Sequence, residues 1–155
     1  MTALKQVETV SDIDDAGMLF REYETWLGLD LCFQGFEEEL AGLPGRYSPP
    51  DGRLFLASVT GELAGCIALR RLDEEICEMK RLFVPNNYRG LGLGITLIEK
   101  LIDEARSIGY AKIRLDTFPP KMVKAVRLYE SYGFHQIAPY YDNPHDGVLF
   151  IELIL

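Results

Sequence analysis

The stretch Val84-Pro-Asn-Asn-Tyr-Arg-Gly-Leu-Gly-Leu-Gly94 guides the interpretation of the whole sequence. An apolar, strand-like segment ends where it begins, and an amphipathic pattern typical of a helix follows its last glycine. Glycines at such a junction let a ligand approach the backbone, and the first turn of a helix carries unpaired N–H donors and a partial positive charge. Together with the cationic Arg89, these donors predict a binding site for a pyrophosphate group.

Two common nucleotide-binding motifs do not fit this stretch. A nucleotide P-loop ends in Gly-Lys-Ser/Thr, whereas Ile95 and Thr96 follow Gly94. A dinucleotide fingerprint begins almost directly at the end of its strand, whereas Pro85 to Tyr88 intervene here. The glycines taken alone are also compatible with tight packing of the helix, so their spacing leaves the ligand open.

Composition and charge restrict the class of protein. The chain has 155 residues, 48% of them apolar, which suits a single domain spanning residues 1–155 with a full core. Its net charge of −8 opposes a general nucleic-acid role, because phosphate contacts need a basic face. No apolar run approaches the roughly 20 residues of a membrane span, and the first residues do not resemble a signal peptide. We therefore expect a cytoplasmic protein that binds neither nucleic acid nor membrane.

The cysteines and histidines indicate neither a disulfide framework nor a metal site. Cys32, Cys66 and Cys77 form no close pairing motif, so we expect reduced, buried thiols. The two histidines, His135 and His145, lack the spacing of metal ligands. The sequence therefore predicts no metal cofactor.

Apolar periodicity and turn signals predict one α/β (α+β) domain with the element order β-α-α-β-β-β-α-β-α-β-β. Short connections predict antiparallel hairpins, and the strand–helix–strand unit from Ile76 to Phe118 predicts one parallel pair in a mostly antiparallel mixed sheet flanked by helices. The predicted strands are Leu4–Thr9, Leu54–Val59, Leu63–Leu72, Ile76–Val84, Ile113–Phe118, Phe134–Tyr140 and Val148–Leu155. Four helices are predicted. The first begins at Ser11, and the second lies around Phe33 to Leu40 with Glu37, Glu38 and Glu39 mostly outward. The third and fourth span Gly90–Ile108 and Lys121–Tyr132.

Three stretches, taken in order, resemble the GCN5-related N-acetyltransferase (GNAT) superfamily. Arg89-Gly-Leu-Gly-Leu-Gly94 resembles its Arg/Gln-x-x-Gly-x-Gly/Ala signature, and Leu128-Tyr-Glu-Ser-Tyr-Gly-Phe134 resembles its second signature, a Tyr near a helix end followed by Gly-Phe. Glu78-Met-Lys-Arg-Leu-Phe-Val84 is similar to the strand before the phosphate loop. The resemblance covers most of the chain from Leu54 onward. It implies the acyl-CoA N-acyltransferase fold and acetyl-CoA as cosubstrate.

The resemblance also implies where acetyl-CoA binds. The cosubstrate would lie in a V-shaped gap where two parallel strands, Ile76–Val84 and Ile113–Thr117, splay apart. Main-chain groups of Leu82, Phe83 and Val84 would pair with the pantetheine amides as one more strand. Backbone N–H groups would hold the pyrophosphate along six consecutive residues. These are Arg89, Gly90, Leu91, Gly92, Leu93 and Gly94.

Tyr129 matches the family's general acid, which protonates the departing CoA thiolate during direct transfer to an amine. The residue also continues an apolar helical stripe with Met122, Ala125 and Val126, so a core role is equally compatible with its position. Met122 itself departs from the family pattern, since many members carry an Asn there. The resemblance therefore implies a catalytic phenol and one missing polar contact to the cosubstrate.

Glu78 resembles the glutamate that some family members use as the base that accepts the amine proton. By strand alternation it shares a face with Lys80, and a plain salt bridge between them would keep the carboxyl pKa low. A water chain is the alternative route for the proton. The sequence leaves both routes open.

The acceptor is predicted to be a primary amine of a small molecule or a protein, and we expect it between the N-terminal helices and the loop before the last strand. Arg70 and Arg71 are candidates to bind a carboxylate of the acceptor. Two other functions stay open: a module that senses acyl-CoA without turnover, and transfer to a hydroxyl. The last strand either pairs across a homodimer or finishes one sheet. The candidate acceptor residues are Tyr23, Trp26, Phe33 and Tyr140.

Overall fold

The computed structural model describes residues 1–31 and 35–155, which form a seven-stranded sheet with helices on both faces. The strands are β1 (Thr2–Gln6), β2 (Arg53–Val59), β3 (Glu62–Arg71), β4 (Ile76–Phe83), β5 (Lys112–Thr117), β6 (His135–Gln136) and β7 (Leu149–Ile154). The helices are α1 (Val10–Leu27), α2 (Phe36–Ala41), α3 (Leu93–Ile108) and α4 (Pro119–Ser131). In this part of the chain no helix is both long and apolar enough to cross a membrane.

The sheet confirms the predicted fold class. Its strand order is β1-β2-β3-β4-β5-β7-β6, and β4 and β5 form a parallel pair among otherwise antiparallel neighbours. The register between β4 and β5 ends at Glu78 and Arg114, although β4 continues to Phe83 and β5 to Thr117. The two strands therefore splay apart in the middle of the sheet. The last strand, β7, lies between β5 and β6 and completes the sheet of one chain.

Two apolar layers enclose the sheet. Alternation along β3 sends Ile67 and Leu69 to one layer and Cys66 and Ala68 to the other. Helix α3 packs on the first layer through the predicted stripe of Leu97, Ile98, Leu101, Ile102 and Ala105. Helix α1 packs on the second layer through Ala16, Leu19, Phe20 and Leu27. Both faces of the sheet are thus covered by helices.

Helix α1 begins one residue before the predicted start at Ser11. Its N-cap is Thr9, whose hydroxyl accepts the N–H of Asp12 at 3.0 Å, while the Asp12 carboxylate accepts the N–H of Thr9 at 3.1 Å. Lys5 lies 2.7 Å from the other oxygen of Asp12. The predicted cap at Ser11 with Asp14 is therefore wrong. The side chains of Thr9 and Asp12 each accept the other residue's backbone N–H, and Lys5 of β1 pairs with the Asp12 carboxylate.

Helix α3 begins at Leu93 and not at the predicted Gly90. Gly92 is its N-cap and adopts a φ of +78°, a left-handed conformation that glycine reaches without steric cost. At the other end Gly109 caps the helix with a φ of +108°, as predicted. The glycine-rich stretch is therefore a loop that leads into the helix.

The predicted strand Phe134–Tyr140 shortens to the two residues of β6. The chain leaves the sheet edge after Ile137, whose N–H bonds to Phe150 at 2.9 Å, and returns across the sheet to place Tyr140 on Glu78. Sequence alternation alone does not reveal this crossing. The other boundaries shift by at most three residues, including α4, which begins at Pro119 because proline suits the first helical turn.

Candidate active site

A cleft opens where β4 and β5 separate. It encloses about 620 Å³, including the part that is open to solvent. Both strands, α1, α4 and the segment before β7 contribute to its walls. The lining includes Tyr23 and Leu27 from α1, Met79, Lys80, Arg81 and Leu82 from β4, Leu115, Asp116 and Thr117 from β5, Met122 and Tyr129 from α4, and Asn143 and His145.

A β-bulge on β4 shapes the edge of this cleft. In the pairing with β3, Cys66 lies opposite Phe83 but Ala68 lies opposite Lys80, so β4 carries one extra residue. Arg81 sits there with a φ of +59°, which is uncommon for a residue other than glycine. Its carbonyl accepts the thiol of Cys66 at 3.2 Å. The bulge bends β4 away from its neighbour where the cleft begins.

The side chain of Arg81 holds the bulge against α2. Its guanidinium donates two hydrogen bonds to Glu39, both 2.9 Å long, and lies 5.1 Å from the centre of the Phe36 ring. Both charged side chains are largely buried. Glu39 therefore points inward, and the prediction of an outward side chain is wrong for this residue, because the buried guanidinium needs a carboxylate partner.

The glycine-rich loop faces open space at the N-terminus of α3. Gly90 and Gly92 adopt φ values of +85° and +78°. A Cβ atom added at Gly90, Gly92 or Gly94 would meet no other atom within 4 Å. The first turn of α3 also leaves backbone N–H donors without helical partners. This geometry fits a pyrophosphate group, which needs close approach and several N–H donors.

The outer half of β4 presents a free strand edge to the cleft. Register pairs with β5 end at Glu78, so Leu82 and Phe83 have no strand partner on that side among the described residues. An extended ligand can form strand-like hydrogen bonds at such an edge. The edge leads directly into the glycine-rich loop through Val84. This arrangement fits a pantetheine arm followed by a pyrophosphate.

Tyr129 lines the cleft and is also part of the core. Its side chain is only 4% exposed, and its ring centre lies 5.5 Å from that of Phe134. Gly133, with a φ of +102°, turns the chain so that the N–H of Phe134 bonds back to the carbonyl of Tyr129 at 3.2 Å. The Tyr-x-x-x-Gly-Phe pattern is therefore a helix end that locks this tyrosine in place. Burial raises the pKa of the phenol, which stays protonated at neutral pH.

Met122 occupies the place where the family pattern has an asparagine. The hydroxyl of Thr117 donates to its sulfur at 3.1 Å, and the backbone of α4 departs from helical angles at this residue. Met122 lines the cleft next to β5. A thioether here offers only a weak acceptor to a ligand.

Glu78 lies at the closed end of the splay and is 1% exposed. Arg70 donates to one of its oxygens at 2.8 Å and the Tyr140 hydroxyl to the other at 2.7 Å, while the Lys80 ammonium is 4.0 Å away. Burial pushes the pKa of this carboxyl upward, but the charges of Lys80 and Arg70 and the hydrogen bonds outweigh it, so the pKa lies below its usual value. The predicted partner Lys80 is thus more distant than Arg70. Glu78 does not itself line the cleft.

Asp116 is a cleft-lining carboxylate that the sequence analysis did not single out. It accepts the Tyr141 hydroxyl at 2.5 Å, and Tyr141 in turn accepts the side-chain amide of Asn143 at 3.0 Å. Adjacent tyrosines, Tyr140 and Tyr141, thus bind carboxylates on the two splayed strands. The consecutive tyrosines were the available signal, but nothing in the sequence shows which strands they reach.

The remaining candidates fall in different places. Tyr23 lines the cleft, whereas Trp26 packs on Arg89 near the glycine-rich loop with 4.7 Å between guanidinium carbon and ring centre. Phe33 lies outside the described residues. Arg71 pairs with Asp51, at 3.0 Å, on the opposite side of the sheet from Arg70. It is therefore not part of the cleft, and the candidate role of Arg71 in acceptor binding is wrong.

The cysteines and potential metal ligands add no second site. Cys66 and Cys77 are free, buried thiols, and burial raises the pKa of Cys77 to about 12. Such a thiol is protonated and unreactive at neutral pH. Cys32 lies outside the described residues. Within residues 1–31 and 35–155, no group of three His, Cys, Asp or Glu side chains is placed to hold a metal ion.

A splayed parallel pair beside a glycine-rich helix start defines a class of transferases that use acyl-CoA. Residues 18–134 match the acetyltransferase (GNAT) family. The chain belongs to this family, and it is an N-acetyltransferase.

Known proteins similar to this chain include relatives and solved structures. An uncharacterised N-acetyltransferase of Schizosaccharomyces pombe is 39% identical over 97% of this chain and 93% of its own length. An N-acetylaspartate synthetase of Danio rerio is 31% identical over 71% of this chain and 39% of its own length. An acetyltransferase structure from Streptococcus agalactiae covers 99% of this chain and 98% of its own with a TM-score of 0.82 at 23% identity. A GNAT structure from Elizabethkingia anophelis with acetyl-CoA bound covers 99% and 98%, with a TM-score of 0.65 at 19% identity.

Proposed function

We propose that this enzyme transfers the acetyl group of acetyl-CoA directly to the primary amine of a small molecule, with Tyr129 as the general acid. The observation that carries the proposal is the cleft between β4 and β5. The edge of β4 that lines the cleft continues along the chain through Val84 into the open glycine-rich loop, and the lining of the cleft on β4 begins at Met79, the residue after the buried Glu78. Tyr129 lines the cleft between α4 and the splayed strands. The donor, the acid and a proton acceptor can therefore be aligned in one channel.

The donor would bind through backbone more than through side chains. The free edge at Leu82, Phe83 and Val84 supports pairing with the pantetheine amides. The N–H groups from Arg89 to Gly94 would hold the pyrophosphate at the positive end of α3. The similar fold that was solved with acetyl-CoA bound supports this choice of cosubstrate.

The reaction would proceed in a ternary complex without an acyl-enzyme. The neutral amine attacks the thioester carbonyl, the new C–N bond forms, and the C–S bond breaks. The leaving thiolate takes a proton from the Tyr129 hydroxyl, and the nitrogen loses its own proton to a base. The buried thiols support the absence of a covalent intermediate, because a protonated thiol is a poor nucleophile.

The raised pKa of Tyr129 is compatible with its role as acid. Burial disfavours the charged phenolate, but it equally disfavours the charged thiolate that leaves at the same site. The phenol remains protonated before each turnover and can donate as negative charge develops on sulfur. After transfer, the proton lost by the amine restores the phenol through solvent.

Glu78 is the base that we propose, acting through a water molecule because it does not line the cleft. Its lowered pKa makes it a weak acceptor for a proton from a free ammonium ion. The nitrogen becomes far more acidic once it bonds to the carbonyl carbon, and a fixed negative charge nearby then stabilises it and receives its proton. Arg70 and Tyr140 hold the carboxylate in position for this step.

The acceptor that the cleft suits best is a small amine that also carries a carboxylate. Lys80 and Asp116 line the cleft from the two splayed strands, one with a basic and the other with an acidic side chain. Burial lowers the pKa of Lys80, and an added carboxylate would favour its charged form again. Asp116 offers an acceptor to the amine. The N-acetylaspartate synthetases, which align with this chain over only part of their length, support an amino acid as acceptor.

A thiol-release assay with matched acceptors tests the proposal. We expect CoA release from acetyl-CoA with amino acids, less with the corresponding amines that lack a carboxylate, and none with the corresponding hydroxy acids. Release with hydroxy acids instead would indicate transfer to oxygen. If calorimetry shows that acetyl-CoA binds but no acceptor of the panel causes CoA release, the protein is a sensor of acyl-CoA and not an enzyme. No binding at all would overturn the proposed donor.

A further inference from the structure

Two cationic side chains pack on the ring of Trp26, which lies beside the cleft-lining Tyr23. The guanidinium carbon of Arg89 lies 4.7 Å from its ring centre and the ammonium of Lys121 lies 5.8 Å from it. Arg89 follows β4 in the glycine-rich stretch, and Lys121 follows β5 in the first turn of α4. The indole of α1 therefore joins the two arms of the splay at the end where the cleft opens.

The surroundings of this cluster favour an anion. The indole rests on Phe83, with ring centres 6.0 Å apart, and Arg89 is anchored by its Nε donating to the carbonyl of Val84 at 2.8 Å. Among the described residues no carboxylate pairs with Arg89 or Lys121 within 4.0 Å. Two cations near one ring concentrate positive charge there, and an anion bound beside them would compensate it. Both cations are exposed and accessible to a ligand.

The indole also limits the freedom of two long side chains. Arg and Lys lose much rotamer entropy when they bind a ligand from a mobile state. Stacking on Trp26 holds them near the glycine-rich loop before any ligand arrives. Part of the entropy loss is thus incurred during folding, and binding becomes more favourable.

We propose that Trp26 is a positioning residue for the donor, which holds Arg89 and Lys121 where they bind the phosphates of acetyl-CoA. This inference depends on the proposed donor, and it moves Trp26 from the acceptor side, where the sequence analysis placed it, to the donor side. The ligand class is the phosphorylated nucleotide arm of a thioester carrier. Lys121 becomes a second cationic contact beside Arg89.

Donors with and without phosphates provide the test. For Trp26→Ala we expect the KM for acetyl-CoA to rise about five- to tenfold, as for loss of one cation-holding contact, with kcat and acceptor KM unchanged. With S-acetyl-N-acetylcysteamine, which lacks phosphates, the variant should match the wild type. Trp26→Phe, which keeps a ring face, should recover part of the loss, and Lys121→Ala should reproduce it.

The single tryptophan of the chain gives a readout that needs no turnover. Adenosine 3′,5′-bisphosphate and CoA should change its fluorescence, whereas pantetheine should not, and Lys121→Ala should weaken the response. Equal losses with both donors, or a raised KM for the acceptor alone, would overturn the inference. Tight CoA binding with no effect of Trp26→Ala would overturn it while leaving the proposed donor intact. Absence of CoA binding would instead overturn the proposed function.

Discussion

At the scale of single residues, the side chains with proposed catalytic roles are also buried and tightly held. Tyr129 packs on Phe134 and lines the cleft, and Glu78 is enclosed by Arg70 and Tyr140 while it faces the closed end of the splay. Packing restricts each side chain to one position, which a catalytic group requires. For each substitution, stability and turnover must therefore both be measured.

Tyr129→Phe removes the hydroxyl of the proposed acid and keeps the ring. We expect kcat to fall about 100-fold or more, since general acid catalysis contributes at least this factor. The KM for acetyl-CoA and the melting temperature should change little, because the ring still packs on Phe134. Steady-state kinetics and thermal unfolding measure both quantities. Tyr132→Phe, on the same helix end, is the control and should keep full turnover; unchanged kcat in Tyr129→Phe would contradict the acid role.

The carboxylates of Glu78 and Asp116 are expected to act on different kinetic constants. Glu78→Gln should lower kcat about 100-fold by removing the base. Asp116→Asn should mainly raise the acceptor KM.

Because the pKa of Glu78 lies below its usual value of about 4.3, its carboxyl stays ionised near neutral pH. In the wild type, the rise of kcat/KM with pH should follow the pKa of the acceptor amine. A rise that stays in place when the amine is exchanged for one of different pKa would contradict this assignment.

At the scale of elements, sharp turns of the backbone shape most of the candidate site. The glycine-rich loop, the helix end at Gly133 and the bulge at Arg81 each use a left-handed backbone angle to turn the chain toward the cleft. An effect on stability can be distinguished from an effect on ligand binding, because glycines with similar backbone angles also occur away from the cleft and serve as controls.

Gly92→Val tests close approach of the pyrophosphate. The new side chain would fill open space in front of the loop and strain a backbone with positive φ, so we expect CoA affinity to fall at least tenfold. Gly109→Val is a matched control, because Gly109 also has a positive φ and open surroundings but lies at the far end of α3. Both variants should lose similar stability. Equal CoA affinity for the two, measured by calorimetry, would contradict a phosphate role for the loop.

Asp12→Asn tests the start of α1. The hydrogen bond from Lys5, followed by the backbone N–H groups of Glu8 and Thr9, lowers the pKa of Asp12 in the folded chain. The unfolded chain then binds more protons between the two pKa values, so the stabilisation is complete above about pH 4 and decreases as the pH falls below it. The variant should be less stable than the wild type at pH 7, and the difference should shrink in acid. Urea unfolding at several pH values measures it; a constant difference would contradict the linkage. Asp14→Asn, exposed on the same helix, is the control.

At the scale of the whole molecule, the sheet separates two groups of helices. Helices α3 and α4 pack on one face, with the glycine-rich loop and Tyr129, whereas α1 and α2 cover the other face. The Arg81–Glu39 pair connects α2 to β4 across the interior. This buried link holds α2 on the sheet.

Glu39→Gln tests this connection. Removing one partner of a buried ion pair leaves an uncompensated charge and costs about 3–5 kcal/mol in the free energy of unfolding. Denaturant titration should show a loss near this range, and Glu38→Gln, which changes an exposed neighbour, should show almost none. A small loss for Glu39→Gln would mean that Arg81 is solvated and that α2 is held by its apolar contacts alone.

The order and type of the secondary-structure elements follow from patterns of residues that are close in the sequence. Period-two and helical spacings predicted the element order, the hairpins and the parallel pair, because each depends on contacts within or between neighbouring segments. The spacing of Arg89, Gly92 and Gly94 predicted a glycine-rich loop at the start of a helix, and its binding of phosphate stays a prediction. Tyr129 could be recognised only as part of an ordered set of stretches.

Only the tertiary structure decided which distant side chains meet. Glu39 points to Arg81, Tyr140 and Tyr141 reach Glu78 and Asp116, and Trp26 lies on Arg89. These contacts join residues between 25 and 63 positions apart, so no local periodicity encodes them. They depend instead on buried charges and hydroxyls finding partners once the sheet has brought them together, because an unpaired buried polar group is costly.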